Sequence, residues 1–350
     1  MANQYEMRLG KQGSTFRIGD ASSGEKELLI YLLAIYALNV RDALILVDEP
    51  ELHLHPKWQR TLLSLFERLA DETGNQFVMA THSPTFVSPT TVQYVSRVYA
   101  QAQESRVVRI GEGALPELKH LFGIINSQNN ERVFFADVVV LVEGISDRLF
   151  FEALCRHFKV GETPAKIYEV VSVGGKTLFD PYLKLLAACR IPAVVVADLD
   201  YVRELGDENI KTLFKVAEKT IKTDVLENSA SIDGRTLVQR LEEAIGGGDL
   251  CALRRHWDYI KSRRTRLRDD LTSDEEKLLD GFVAAQRKQH RFVLRSGALE
   301  AYLPEGSKNK DLEKVIALTA AADFWAQLPV ERTTELEEIM RRIASRDTAP

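Results

Sequence analysis

The sequence predicts an α/β protein built on parallel sheets, and three observations predict it. Short apolar runs (Ala43–Val47, Gln76–Ala80, Val138–Val142, Ala193–Ala197) alternate with longer, helix-like stretches. Several of these runs end directly in acids or, one residue on, in a histidine, at the strand tips where open α/β sheets place their chemistry. A polar stretch from Asn126 to Arg132 separates two such alternations, so the 350 residues read as two domains joined near that point.

The elements follow in order. Leu28 to Leu38 reads as an apolar helix, Ala43 to Val47 as a short buried strand, Lys57 to Ala70 as an amphipathic helix and Gln76 to Ala80 as a second strand. Beyond the polar stretch come strand Val138 to Val142, helix Arg148 to Phe158, strand Ile167 to Val173, helix Leu178 to Cys189 and strand Ala193 to Ala197. From about Gly206 to His290 the pattern turns helical and strongly charged, broken by Gly246-Gly247-Gly248. A short strand, Phe292 to Arg295, and more helix complete the chain. The charged stretch therefore reads as an insertion, with the last strand returning to the second sheet. The expected division is 1–130, a sheet core at 131–205, a helical insertion at 206–290, and the end of the core with C-terminal helices at 291–350.

Composition narrows the function classes. With 45% hydrophobic and 28% charged residues, the chain has too much apolar content for intrinsic disorder. Its longest apolar stretch is about half of what a membrane span needs, and no charged-then-apolar leader opens the sequence. Cys155, Cys189 and Cys251 are far apart and lack C-x-x-C spacing, which argues against a disulfide framework or zinc site and for a reducing cytosol. A cytoplasmic protein without membrane contact is expected. The net charge of −5 gives no bulk attraction for nucleic acid, so any such contact needs a local patch.

The first constellation suits nucleotide hydrolysis. The strand at Ala43 ends in Asp48-Glu49-Pro50, where one carboxylate can orient a Mg²⁺ shell and its neighbour can polarise water. The next strand ends in Thr81-His82-Ser83-Pro84, at the same sheet edge. Upstream, Ala21-Ser22-Ser23-Gly24-Glu25-Lys26 opens a helix whose backbone N–H groups suit an anion such as a γ-phosphate. In this order the motifs resemble the ABC-type ATPases of the RecF and OLD kind. SSGEK is similar to their signature, with Ser23 and Gly24, LILVDEP to their Walker B, THS to their switch histidine, and ELHLHP to the stretch after Walker B. The resemblance implies that Asp48 is the Mg²⁺-side carboxylate, Glu49 the catalytic base and His82 the γ-phosphate sensor. No G-x-x-x-x-G-K-[ST] phosphate cradle occurs. ATP binding is then expected only if a P-loop is supplied elsewhere, either by a lobe missing through truncation, the favoured reading, or by an ATPase partner. Independent ATPase activity is not expected.

The second constellation suits a metal-dependent phosphodiester site. Strand Val138–Val142 ends in Glu143-Gly144, and Asp147 follows in the first turn of a helix, where the dipole favours a carboxylate. The strand at Ala193 ends in Asp198-Leu199-Asp200, and alternation would set both aspartates on one face. If the two strands are neighbours, Glu143, Asp147, Asp198 and Asp200 converge at one edge and repel unless cations neutralise them. All-oxygen ligation selects Mg²⁺ or Mn²⁺, and a metal pair can activate water and stabilise a leaving oxygen. Between the motifs, Gly174-Gly175 allow close backbone approach, and Lys176 either meets a phosphate or merely begins the next turn.

VVVLVEGISD and VVVADLD resemble the E…DxD pattern of TOPRIM domains, the family that includes topoisomerases, primases and OLD nucleases. An ABC-type ATPase part followed by TOPRIM resembles the OLD (overcoming lysogenization defect) nucleases, including relatives used in phage defence. The resemblance implies a partial ATPase lobe, a TOPRIM parallel-sheet domain with a helical insertion, and two-metal cleavage of DNA by nicking or double-strand cutting. It also implies a homodimer or larger assembly. In that family a further acid after the last strand serves the second metal, which makes Glu300 the candidate here, and a catalytic lysine follows, for which Lys308 and Lys310 are equal candidates.

Leu253 to Arg268 holds Arg254, Arg255, Lys261, Arg263, Arg264, Arg266 and Arg268 against the single acid Asp258. Such a patch would bind phosphates without regard to sequence, and Trp257 and Tyr259 would either stack on bases or pack inward. Pairing with the acids that follow, Asp269-Asp270 and Asp274-Glu275-Glu276, is the alternative use of the same charges. The competing functions are a TOPRIM ribonuclease, and an assembly subunit in which the ATPase part serves subunit contacts.

Overall fold

The computed structural model describes residues 8–11, 13–52, 54–101, 103–111, 115–126, 130–160, 166–216, 232–263, 265–303, 312–321 and 323–346. The chain forms two compact units, Met1–Phe135 and Ala136–Pro350, divided just past the polar stretch that ends at Arg132. Both mix helix and sheet.

The first unit opens with an antiparallel pair, β1 (Arg8–Lys11) and β2 (Ser14–Arg17). Helix α1 (Ser23–Ala37) starts on a capping box, in which the Ser22 hydroxyl accepts from the Glu25 N–H and the Glu25 carboxylate accepts from the Ser22 N–H. Strands β3 (Leu44–Asp48) and β4 (Gln76–Ala80) pair in parallel, with Asp48 opposite Ala80. Between them runs α2 (Pro56–Thr73), with proline in its first turn and Gly74 in the left-handed conformation at its end. Asn75 joins the two strand starts, accepting from the Ala43 N–H and donating to the Val40 carbonyl. An antiparallel pair, β5 (Ser96–Gln101) and β6 (Glu104–Arg109), and helix α3 (Leu118–Asn126) follow.

One expectation is corrected here. Strand β3 is buried on one face only: Ile45 and Val47 pack with Phe77 and Met79 against the core of Ile35, Leu62, Leu65, Phe66 and Leu69. Its other face leaves Leu44 and Leu46 exposed, Leu46 at 72%, together with Val78 of β4. The described sheet has two strands with helices on one side, so the alternate side chains have nothing to pack on.

The second unit is a four-stranded parallel sheet in the order β12-β9-β7-β8, comprising β7 (Val138–Val142), β8 (Tyr168–Ser172), β9 (Ala193–Asp198) and β12 (Arg291–Leu294). Every residue of β7 is buried, as a central strand covered on both faces requires. One face packs on α4 (Ile145–His157) and the C-terminal helices through Phe150, Phe151, Leu154, Leu336, Ile339 and Ile343. The other packs through Val202, Ile210, Leu213, Leu279 and Val283. Helix α5 (Phe179–Ala188) connects β8 to β9, and the short helices α6 (Tyr201–Leu205) and α7 (Glu208–Lys211) follow β9.

The last strand does return to the sheet, beside β9, with Leu294 opposite Asp198. The inserted stretch is not wholly helical. It contains α8 (Ile232–Gly246), α9 (Leu250–Arg263) and α10 (Ser273–Lys288), and also an antiparallel pair, β10 (Phe214–Val216) with β11 (Thr265–Leu267). Each of these strands is only a residue triplet with apolar or β-branched ends, and its partner lies far along the chain, so local periodicity carries no sign of the pairing.

Candidate metal centre

Strands β7 and β9 are hydrogen-bonded parallel neighbours, so their C-terminal ends share one edge of the sheet. Glu143 follows β7 directly, Asp198 is the last residue of β9, and Asp200 lies two residues on. One carboxylate oxygen from each of these three lies within 4.8 Å of the others. Asp198 is buried, and its Oδ1 accepts the N–H of Leu299 at 3.2 Å. The turn that carries Leu299 is held against β9 by the Leu199 N–H, which donates to the Gly297 carbonyl at 2.7 Å. Gly297 has φ of +114°, a backbone state that side-chain-bearing residues rarely adopt.

Strand alternation is not what brings Asp200 to the group. Strand β9 stops at Asp198, Leu199 turns into the core, and Asp200 sits at the N-cap of α6 with helical backbone angles. Its Oδ1 is buried and accepts no hydrogen bond among the described residues. A buried carboxylate oxygen without a donor, inside a set of three carboxylates, fits a hard divalent cation that would take its ligands from oxygen alone. Glu143, Asp198 and Asp200 are the residues that would hold it.

Two other predicted acids stand outside that group. Asp147 is buried at the start of α4, where its Oδ2 accepts the N–H of the N-cap residue Gly144 at 2.9 Å. The helix start, not the carboxylate group, takes that oxygen. Glu300 lies next to Leu299 in a short turn, Leu299–Tyr302. That turn is braced by Tyr302, whose hydroxyl donates to Glu335 and accepts from the Ser296 N–H at 3.2 Å. Lys176, by contrast, is at the centre: its ammonium forms an ion pair with Asp200 and lies 4.0 Å from Glu143 Oε2. Lys308 and Lys310 lie outside the described residues.

The predicted basic patch is partly spent on ion pairs. Arg266 pairs with Asp269 at 3.2 Å, and Arg268 pairs with Glu275. Arg254 and Arg255 are exposed on α9. Trp257 on the same helix is 48% exposed rather than packed inward. Arg264 and the side chains of Tyr259, Lys261 and Arg263 lie outside the described residues.

The ATPase-type motifs lie together in the first unit. Asp48 ends β3, and Glu49 follows with φ of +46°, in the left-handed region unfavourable to a residue with a Cβ. His82 Nε2 is 3.2 Å from Glu49 Oε1. Burial and then the neighbouring Glu51 carboxyl raise the pKa of Glu49, opposed by His82. Ser23 begins α1, and Gly24 is buried against Leu54 and Trp58, where a Cβ would stand 3.2 Å from a Leu54 methyl carbon. The capping box already occupies the N–H groups of Ser22 and Glu25, so the helix start is less open to an anion than its small residues suggest.

Glu51 was not singled out by sequence. Its Oε1 accepts the Thr81 hydroxyl and the N–H groups of His82 and Ser83, at 2.9 and 3.0 Å for the latter two. Burial opposes its ionisation, but the Thr81 hydroxyl and backbone N–H groups outweigh burial, and its pKa falls. Nothing local marks this role, because the groups it binds are about thirty residues away in the chain.

Known proteins resemble both parts of the chain. Residues 134–200 match the family model for the overcoming lysogenization defect protein-like TOPRIM domain. Residues 5–88 match an AAA-domain family model whose description also names AbiEii and a Type IV TA system. The chain is thus an ATPase-like domain followed by an OLD-like TOPRIM domain. It is 30% identical over 217 residues to a protein named OLD nuclease from Thermus scotoductus, covering 58% of this chain and 40% of that one. To the Old nuclease of Escherichia phage P2 it is 22% identical over 347 residues, covering 94% of this chain and 56% of the relative. The chain therefore spans about half the length of these curated relatives. A solved structure of the C-terminal region of the Xanthomonas campestris pv. campestris OLD protein matches 63% of this chain and 89% of that one at 21% identity, with a TM-score of 0.23, too low to bear on the fold.

Proposed function

We propose that this chain is the TOPRIM-bearing part of a metal-dependent nuclease of the OLD type. The observation that carries the reading is the Glu143, Asp198 and Asp200 group, gathered at one edge of a parallel sheet around a buried carboxylate oxygen without a donor. The relatives named OLD nuclease support it. A divalent ion bound there, Mg²⁺ or Mn²⁺, would supply an activated water and a counter-charge for the oxygen that leaves the phosphodiester.

The chain's own residues divide the remaining work. Asp198, anchored by the Leu299 N–H, fixes the position of the group. Glu143 and Asp200 complete its negative charge. Glu300, beside that anchor, is the acid assigned to a second ion, and the exposed Arg254 and Arg255 are assigned to phosphate contact. The substrate we assign is DNA. The ATPase-like unit, with Asp48, Glu49 and His82 at one strand edge, is assigned to assembly or regulation of two or more chains, and the resemblance to OLD nucleases carries the role in phage defence.

The test is cleavage of supercoiled plasmid with Mg²⁺, Mn²⁺ or EDTA, comparing the parent with Asp198→Ala. Nicking or linearisation that needs metal and disappears in the variant is expected. Equal activity in both proteins, or cleavage in EDTA, would overturn the assignment. Single-stranded RNA as competitor checks the polymer: strong inhibition by RNA and weak inhibition by DNA would favour a ribonuclease.

A further inference from the structure

Lys176 is placed where a cation of the site itself would be. Strand β8 continues past Ser172 along the end of β7: the Val173 N–H donates to the Val142 carbonyl at 2.9 Å and the Gly174 N–H to the Glu143 carbonyl at 3.0 Å. Gly174 and Gly175 then take φ of +81° and +139°, and this turn sets Lys176 beside Glu143. Its side chain is only 16% exposed, and those of its partners Glu143 and Asp200 are 27% and 21% exposed. Three carboxylates against one ammonium leave the group net negative, so the lysine alone does not balance it.

We propose that Lys176 is a built-in counter-ion of the carboxylate group, competing with the divalent cation for Asp200 and released when that cation binds. The inference rests on the metal-site reading above and specifies how that site is regulated. A largely covered carboxylate pair without a counter-charge is costly, so a tethered ammonium stabilises the group before metal arrives. Lysine suits the exchange better than arginine, because its compact charge on a flexible stem can leave without breaking a planar two-point pairing. Once freed, the ammonium is available to a phosphate oxygen of the substrate. A merely structural ion pair predicts the opposite dependence on metal, because losing it would loosen the carboxylates that bind the ion.

The experiment is calorimetric titration of the whole chain with MnCl₂, without nucleic acid, for the parent, Lys176→Met, Lys176→Arg and Asp198→Ala. Lys176→Met should bind Mn²⁺ more tightly than the parent, by roughly tenfold, since one unit charge at ion-pair distance no longer opposes the ion. Lys176→Arg should bind Mn²⁺ less tightly than the parent, because its planar two-point pairing is harder to displace. Binding by Lys176→Met that is equal to or weaker than the parent's overturns the proposal, as does no saturable binding by either. Should the methionine variant fail to fold, as judged by circular dichroism, Lys176→Gln is read by the same criteria. Asp198→Ala separates the two readings. If it binds Mn²⁺ as the parent does, the metal is elsewhere and the site assignment fails with the proposal. If it loses binding while Lys176→Met is unchanged, only the lysine's role is lost.

Discussion

Glu51 ties the turn after β3 to the segment Thr81–Ser83, since one carboxylate oxygen accepts from a hydroxyl and two backbone N–H groups. Removing it in Glu51→Ala should cost on the order of 1 kcal/mol locally, less than a fully buried acceptor would, because the side chain is partly solvated. Faster hydrogen exchange at the His82 and Ser83 amides is the expected readout. The pH dependence has a definite sign. The folded pKa lies below the ordinary 4.5, so the contribution is complete above that value and is lost as pH falls through the lower folded one. The protection of those two amides, corrected for the intrinsic pH dependence of exchange, should therefore fall on acidification in the parent and not in Glu51→Ala. Asp198→Asn poses the complementary question, because an amide oxygen can still accept from Leu299 while the charge is gone. In a chelator this variant should melt at or above the parent's temperature, the like-charge repulsion being relieved, and it should gain nothing from added Mn²⁺.

Helix α9 and strand β11 share one basic stretch but put it to different uses. Arg254 and Arg255 are exposed on the helix, whereas Arg266 and Arg268, in and just after β11, face Asp269 and Glu275. Charge reversal of Arg254 and Arg255 should weaken DNA binding and flatten its dependence on salt, measured as the slope of affinity against salt concentration. Arg268→Ala should instead lower stability and leave that slope nearly unchanged, because its guanidinium is already engaged and half-buried. The final helix, α11 (Val330–Ala344), is tied to the sheet by apolar packing. Ile339 is buried in that core, and Ile339→Ala should cost about 3 kcal/mol, visible as a lower denaturant midpoint.

At the level of the whole chain, two compact units make a single unfolding temperature an incomplete description. Calorimetry should resolve a transition that MnCl₂ raises, assigned to Ala136–Pro350 by its loss of response in Asp198→Asn, and another that MnCl₂ leaves in place. A common shift of both transitions would mean that the units do not unfold independently.

Much of this was open to reading from particular residues. The apolar runs ending at Val142 and before Asp198 are strands, because a fully buried strand must be apolar at every position, and that signature is local. For the same reason Glu143 and Asp198 could be assigned to strand tips; Asp48 also ends its strand, although β3 is buried on one face only. What stayed hidden depended on partners distant in sequence. Asp147 and Asp200 looked equivalent in the chain, yet one caps a helix while the other joins the carboxylate group from a helix N-cap. The exposed face of β3 and the β10–β11 pair were equally illegible.

The sequence by itself determined the parallel strands and the helices between them, the parallel character of the second sheet and the acids at its strand ends, because backbone geometry converts those patterns directly into faces and tips. Only the tertiary structure decided that Leu299 anchors Asp198, that Glu51 holds the Thr81 segment and that Lys176 enters the carboxylate group. Each of these contacts closes a long loop of chain. Their formation depends on the packing of the whole unit, which sets the distance between groups that no local pattern relates.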